Sequence, residues 1–354
     1  MKKKVVVFIH TLQHYRVPIF NFLGEKCELT IVCENADKFS IRELNFSLVQ
    51  CELKKFGPFL IHYQSAGKLA KSSDVTIGLF NLRCLDLLMM AMNPFRTYKF
   101  IFWGIGVSAS YTKSFDQGGV SAKLRLYMSK FADALIFYSN YPLDKYQKIR
   151  GRESLFVSNN TVANPYYIQT SENRNRLLFI GTLYQEKGVD MLLSEYRKAY
   201  NTLGDELYSI DIIGDGEERN SLENSVKEMG LSHKIFFHGA IYDQATIASF
   251  YRNTIACISP HQAGLSVLTS MSNAVPFITF KSAITGGEIF SIENKATGVI
   301  LETDESLSSV LIDINRDPKK YVDMGLKARE FYESKRLPEM MADGIFQAVK
   351  YVSR

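Results

Sequence analysis

Cysteine is scarce in this sequence, and none of its five, Cys27, Cys33, Cys51, Cys84 and Cys257, belongs to a C-x-x-C pair. An odd, scattered set argues against a disulfide framework or a zinc site and suits a reducing cytoplasm. No apolar run is long enough to span a bilayer. The opening MKKKVVVFIH imitates a signal peptide, but His10, Gln13, His14 and Arg16 interrupt it before any cleavage-like site. The first apolar strand ends in HTLQHYR rather than G-x-G-x-x-G, which disfavours a dehydrogenase. Internal repeats and low-complexity segments are also lacking.

What is present is an ordinary globular composition, 22% charged and 46% hydrophobic over 354 residues, enough for about two domains. The charge is unevenly divided. Residues 1–165 carry 22 Lys and Arg against 12 Asp and Glu, whereas residues 166–354 carry 20 against 25. A basic amino-terminal half suits an anionic partner such as a membrane surface, an acidic lipid or a nucleic acid, and equally a merely solvated face. No interleaving of basic and aromatic residues supports nucleic acid, so none is expected as a partner.

Strand and helix patterns alternate. Strands are expected at residues 4–9, 28–33, 46–53, 74–79, 98–103, 134–138 and 154–157, with helices at 17–25, 63–72, 82–92, 122–131 and 142–149 between them. The polar stretch 159–175, with Pro165 inside it, reads as a linker. The pattern then restarts with strands at 176–180, 207–213, 235–237, 255–258, 277–280 and 298–301 and helices at 189–200, 217–229, 244–252 and 265–272; helices at 318–332 and 339–352 close the chain. This βαβ grammar predicts an α/β protein of two Rossmann-like, doubly wound domains facing across a cleft, with ligands at the carboxyl ends of the strands. The expected boundaries are 1–165, 166–337, and a final helical segment 338–354 that crosses back to the first domain.

The most informative run is FIGTLYQEKGVDMLL, residues 179–193, in which a strand ends at Gly181 and Lys187 precedes a second glycine and a helix. A helix start offers unpaired N–H groups and a positive dipole end, and the ammonium adds a full charge: chemistry for a phosphate or diphosphate. Further along, IDIIGDGEER runs from an apolar strand into Gly214, Asp215 and Gly216. KIFFHGAI puts His238 and Gly239 at a strand end, where a backbone edge could read a nucleobase. ISPHQAGLSVLTSM sets Gly264 at a helix mouth, and ITGGEIF presents Glu288 beside two glycines, suited to sugar hydroxyls. Together these features predict a nucleotide-sugar pocket.

In this order, FIGTLYQEKGVDMLL, IIGDGEER, FHG, SPHQAGLSVLTSMSNAVPFIT, GGEIF and ATGVI resemble the donor domain of glycosyltransferase family 4, enzymes of the GT-B fold. HYRVPIFNFL, WGIG and NNTVANPYY are similar to the acceptor half, so the likeness covers nearly the whole chain. It implies transfer of a sugar from a nucleotide donor, UDP- or GDP-linked, with retained anomeric configuration and no obligatory metal or other cofactor. It sends Lys187, Gly181 and Thr182 toward the diphosphate, and Gly214 to Gly216 with His238 and Gly239 toward the nucleoside. Gly264 and Leu265 fall to phosphate or sugar, and Thr269 and Glu288 to hydroxyls. This sequence departs from the family's pattern: Thr182 stands where an arginine is usual, His261 and Thr269 replace the paired glutamates, and Ile105 replaces a histidine. The S-P-x-x-x-G-L form is similar to that of polysaccharide-assembly members, which implies capsule, O-antigen or exopolysaccharide work on a glycan or lipid-linked oligosaccharide.

With the family's histidine absent, the donor phosphate itself is expected to take the acceptor's proton, while Lys187 and backbone amides stabilise the leaving group. His10, His14, Arg16, Arg83 and Gly104 are the acceptor candidates. The apolar helix 82–92 is either buried or, with Arg96, Lys99, Lys113, Lys123, Arg125 and Lys130, pressed against an anionic leaflet at the cytoplasmic membrane face. A nucleotide-sugar epimerase and a lapsed binding protein of the same fold stand as alternatives.

Overall fold

The computed structural model describes residues 2–62, 66–108, 115–169 and 173–354. These fall into two compact units: unit 1, made of the residues up to Ser108, Phe115–Ala163 and Arg336–Arg354, and unit 2, Asn164–Lys335.

Unit 1 is built on a seven-stranded parallel sheet. Its strands are β1 (Lys4–Phe8), β2 (Glu28–Cys33), β3 (Ser47–Gln50), β6 (Val75–Leu79), β7 (Lys99–Gly104), β8 (Ala134–Phe137) and β9 (Leu155–Val157), while β4 (Leu53–Phe56) and β5 (Phe59–His62) form a separate antiparallel hairpin. Alternation along β1 feeds two cores, since Val5 and Val7 point to one face of the sheet and Val6 and Phe8 to the other. Helix α1 (Val17–Lys26) and the final helix, Pro338–Val352, cover the first face. Helices α2 (Ala66–Lys71), α3 (Leu85–Met92) and α4 (Val120–Met128), with the short α5 (Leu143–Gln147), cover the second. Strands buried on both faces must be apolar throughout, and FIFW of β7 is an example. The sheet order, β3-β2-β1-β6-β7-β8-β9, reverses direction between β1 and β6.

The expected strand 46–53 is instead β3 followed by the hairpin. The left-handed Gly57 (φ 57°) and Pro58 turn the chain back at once, so Leu53 pairs with His62 rather than extending the sheet. Residues 63–65, the first part of an expected helix, and Lys113 lie outside the described residues.

Unit 2 repeats the plan with six parallel strands: β10 (Arg176–Ile180), β11 (Ser209–Ile213), β12 (Ile235–Gly239), β13 (Thr254–Ile258), β15 (Phe277–Phe280) and β17 (Gly298–Leu301), plus a two-residue pair, β14 (Gln262–Ala263) with β16 (Ile284–Thr285). Its helices are α6 (Val189–Leu203), α7 (Arg219–Glu228), α8 (Gln244–Asn253), α9 (Leu265–Ser272), α10 (Leu307–Arg316) and α11 (Pro318–Lys335). Leu192, Leu193, Tyr196 and Ala199 give α6 its buried face, and α10, which the sequence reading missed, packs beside it through Leu307, Leu311 and Ile314. Each fully buried residue of this size stabilises the unit by about 2 kcal/mol. The sheet order, β12-β11-β10-β13-β15-β17, reverses between β10 and β13.

Candidate functional site

Where a parallel sheet reverses its order, the loops at the carboxyl ends of the two central strands diverge and leave a crevice. In unit 2 those loops follow β10 and β13, and they contain Gly181 to Gly188 and Ser259 to Gly264.

After β10 the chain turns at Gly181, makes one 3-10 turn over Gln185–Lys187, and passes through Gly188 in the left-handed region (φ 67°) before α6 begins. Lys187 folds back so that its Nζ would lie 3.2 Å from a β-carbon at Gly181, and 5.5 Å from the Tyr184 ring centre. Burial pushes its ammonium down to about 8, and no carboxylate figures among the causes. A β-carbon at Gly188 would come within 2.4 Å of His261 Nδ1, and its left-handed backbone also favours glycine. The β10 and β13 loops therefore touch. The Tyr184 hydroxyl donates to Gln262 Oε1 at 3.1 Å, and Gln262 and Ala263 pair with Ile284 and Thr285. Gly181, Lys187, His261, Gly264 and the Thr285–Glu288 turn thus form one continuous shelf.

The loop after β11 braces it. Gly181 N–H donates to the Ile213 carbonyl at 3.0 Å and Leu183 N–H to the Asp215 carbonyl at 2.9 Å. A β-carbon on Gly214 or Gly216 would overlap the Gly181 or Leu183 carbonyl, so both glycines are explained by close backbone packing. Asp215 pairs with Arg219 at 3.2 Å. Thr182 is exposed on the shelf.

At the mouth of α9, Gly264 precedes Leu265 with no capping side chain and no acid in the first turn, leaving the positive dipole end uncompensated. Thr269 donates to its own helix, at the Leu265 carbonyl, 3.2 Å away.

One expectation needs correcting, and another residue gains a partner. Glu288 is not an open carboxylate: it is only 6% exposed and accepts from Gly286 N–H at 2.8 Å and from the Thr285 hydroxyl at 3.3 Å, fixing the double-glycine turn. His238 turns its Nε2 onto Asp211 Oδ1 at 2.7 Å, and the carbonyl of Gly239 accepts Gly214 N–H, so neither is idle at the strand end. Asp211 lies in the strand read as apolar, and the sequence reading missed it. Arg176 donates to both its oxygens, at 2.8 and 2.5 Å, making an Arg–Asp–His network beside the shelf.

In unit 1 the sheet reverses at β1 and β6, and the side chains after them meet: His10 Nε2 lies 3.1 Å from Cys84 Sγ. Burial first, and then the neighbouring His62, hold the His10 imidazole below its usual range. Arg83 is exposed and donates through Nε to the Pro58 carbonyl at 2.6 Å. His14 is exposed against Phe39, ring centres 4.9 Å apart. Arg16 is buried. Gly104 ends β7 buried beside Phe80 and offers no surface to an acceptor.

Residues 167–331 match the family model described as Glycosyl transferases group 1. Unit 2 carries a group 1 glycosyltransferase domain. An uncharacterized glycosyltransferase of Haemophilus influenzae is 25% identical over 191 residues, 52% of this chain and 51% of that protein. The poly(glycerol-phosphate) alpha-glucosyltransferase of Bacillus subtilis is 22% identical over 237 residues, 62% of this chain and 33% of that one. The matches therefore span about half or less of these relatives. Among solved structures, Anabaena HepE, crystallised in complex with UDP-glucose, superposes with a TM-score of 0.70 at 14% identity, covering 98% of this chain and 99% of that one. The fold is that of GT-B glycosyltransferases. The group 1 domain coincides with the unit that bears the Lys187 shelf.

Proposed function

We propose that the protein is a retaining glycosyltransferase of family 4, moving a hexose from a UDP- or GDP-sugar to a glycan or lipid-linked acceptor in cell-surface polysaccharide assembly. The observation that carries this is Lys187, a half-buried ammonium without a carboxylate partner among the described residues, on a shelf shared with the uncapped start of α9. Such a pair suits a diphosphate leaving group. The bond from the anomeric carbon to the phosphate oxygen breaks with its electrons going to the diphosphate. The acceptor oxygen attacks the same face, and its proton passes to a phosphate oxygen. Lys187 and the amides of Gly264 and Leu265 stabilise the charge that develops, an effect worth on the order of 3 kcal/mol per preorganised donor. Glu288 serves by holding the Gly286–Gly287 backbone, and the Gly214–Gly216 turn and the His238 strand end frame the nucleoside.

HepE was solved with UDP-glucose, and the Bacillus relative is named for poly(glycerol phosphate); both names favour a UDP-sugar and an anionic polymer or lipid-linked acceptor here. The deciding experiment incubates the protein with UDP- and GDP-hexoses and membrane-derived glycan acceptors. Transfer with one nucleotide class, and inversion or retention read from the product, tests the reading. An epimerised donor without transfer, or no turnover at all, would favour the epimerase or the lapsed site.

A peripheral membrane contact belongs to the same proposal. In unit 1, Met89 (62% exposed), Phe95 (89%) and Leu124 (46%) are exposed, as are the cations Lys123 and Lys130. No helix among the described residues is long and apolar enough to cross a membrane. Apolar anchors among lysines suit an anionic interface, at about 1 kcal/mol per basic residue. Flotation with phosphatidylglycerol vesicles is expected and with phosphatidylcholine vesicles is not; Phe95→Ser with Lys123→Glu should abolish it. Equal recovery with both vesicle types would remove this contact.

A further inference from the structure

Among the described residues, unit 1 holds a buried cation with no carboxylate against it. Arg16 closes the 3-10 turn His14–Arg16 after β1 and immediately precedes α1. It is 9% exposed. Its Nη2 donates to the Tyr138 hydroxyl at 3.2 Å and to Asn160 Oδ1 at 3.4 Å. The guanidinium carbon lies 4.8 Å from the Trp103 ring centre, 5.2 Å from that of Tyr138 and 5.5 Å from that of Tyr15. Nη1 is buried with no hydrogen-bond partner among the described residues. Burial works against its charge, and the hydroxyls of Tyr138 and Tyr15, both within hydrogen-bonding reach of the guanidinium, work for it.

A guanidinium cannot lower its burial cost by shedding a proton. Aromatic faces return about 1 to 2 kcal/mol each, but a buried N–H without an acceptor loses what they give. A second, independent feature has the same sign. Helix α1, ten residues long, has no acid in its first turn and no capping side chain; Val17 N–H already donates to the His14 carbonyl and Pro18 has no N–H, so what this end offers is its positive dipole rather than a set of free amides. Both stand at the carboxyl end of β1, beside the point where the sheet order reverses.

We propose that Arg16 Nη1 and the amino end of α1 form a receptor for a phosphate group carried by a substrate. Trp103, Tyr138, Tyr15 and Asn160 hold the guanidinium with Nη1 enclosed and still lacking an acceptor, a donor that a phosphate oxygen entering beside it would satisfy. The receptor stands on the geometry of unit 1 alone. Its assignment to the transfer reaction rests on the function proposed above, and there the phosphate comes either from the acceptor or from the donor diphosphate.

Trp103 is the chain's only tryptophan and sits against the guanidinium, so its emission reports on the site directly. The wild-type protein is titrated at constant ionic strength with inorganic phosphate, glycerol phosphate, UDP and, as control, chloride. A saturable change in Trp103 emission is expected with a phosphate compound and not with chloride. Arg16→Met should abolish it, and Arg16→Lys should weaken the apparent affinity roughly tenfold, since an ammonium lacks the fixed fork. Response to glycerol phosphate but not UDP assigns the site to the acceptor; the reverse assigns it to the donor. No saturable response in the wild type to any phosphate compound, or the same response in folded Arg16→Met, overturns the receptor. A thermal shift of the same samples by UDP is scored separately. A protein stabilised by UDP yet silent at Trp103 loses this proposal and keeps the donor site of unit 2.

Discussion

Lys187→Met should lower turnover by about a hundred- to a thousandfold, the usual loss when one preorganised donor to a developing anion is removed, and at the same time make the free protein more stable. Both effects come from one fact: burial holds the ammonium at about 8, below the 10.5 that an unfolded chain would show. The unfolded chain then binds the proton more tightly than the native one, so below about pH 8 the buried charge exerts its full destabilising effect, which fades as pH rises toward the unfolded value. At neutral pH the variant should melt higher, and near the unfolded lysine's pKa the difference should vanish. Steady-state kinetics and melting curves across pH check the two halves. A folded variant with near-normal kcat would remove the leaving-group role, and a lower melting temperature at neutral pH would contradict the strained-charge account.

Asp211→Ala should cost unit 2 about 3 kcal/mol, because it leaves Arg176 and His238 facing a buried gap without their shared carboxylate. Asp211 is 8% exposed in its side chain, and Arg176 28%, so the orphaned guanidinium regains water only in part. A loss of that size lowers the melting temperature by roughly 10 °C in a unit of this length. The double variant Arg176→Met, Asp211→Leu should recover most of it, since a buried ion pair contributes little over well-packed apolar groups. If the single variant melts like the wild type, the network is not a support of the shelf; if the double melts as low as the single, burial of the unpaired guanidinium is not the cause.

The two structures behind these predictions differ in how openly the sequence showed them. Lys187 was legible because a strand end, a glycine turn and a helix start are local patterns, read within fifteen residues. The same holds for the Gly214 and Gly264 turns and for most strands, whose apolar runs admit no other burial. Asp211 was not legible: one acid in IDIIG leaves the run apolar on average, and its partners lie 35 and 27 residues away on neighbouring strands. Glu288 was misread for a related reason. Sequence places a carboxylate beside two glycines, but only the folded turn decides whether it faces a sugar or its own backbone, and Gly286 N–H takes it. The β4–β5 hairpin escaped because an alternating run continues across Gln50 to Leu53, and only the return through Gly57 separates it from the sheet. Arg16 was placed near the acceptor side, but apart from the adjacent Tyr15 its enclosure is assembled from Trp103, Tyr138 and Asn160, 87 to 144 positions away, and could not be foreseen.

The most direct measurement is calorimetric binding of UDP and of uridine across pH. If Lys187 meets the diphosphate, UDP binds far more tightly than uridine. Its affinity is level below about pH 8 and falls up to tenfold per unit above it, with proton uptake on binding in that range, because the bound anion raises the ammonium's pKa. Uridine binding as tightly as UDP, or a UDP affinity that does not change between neutral and alkaline pH, would contradict the account.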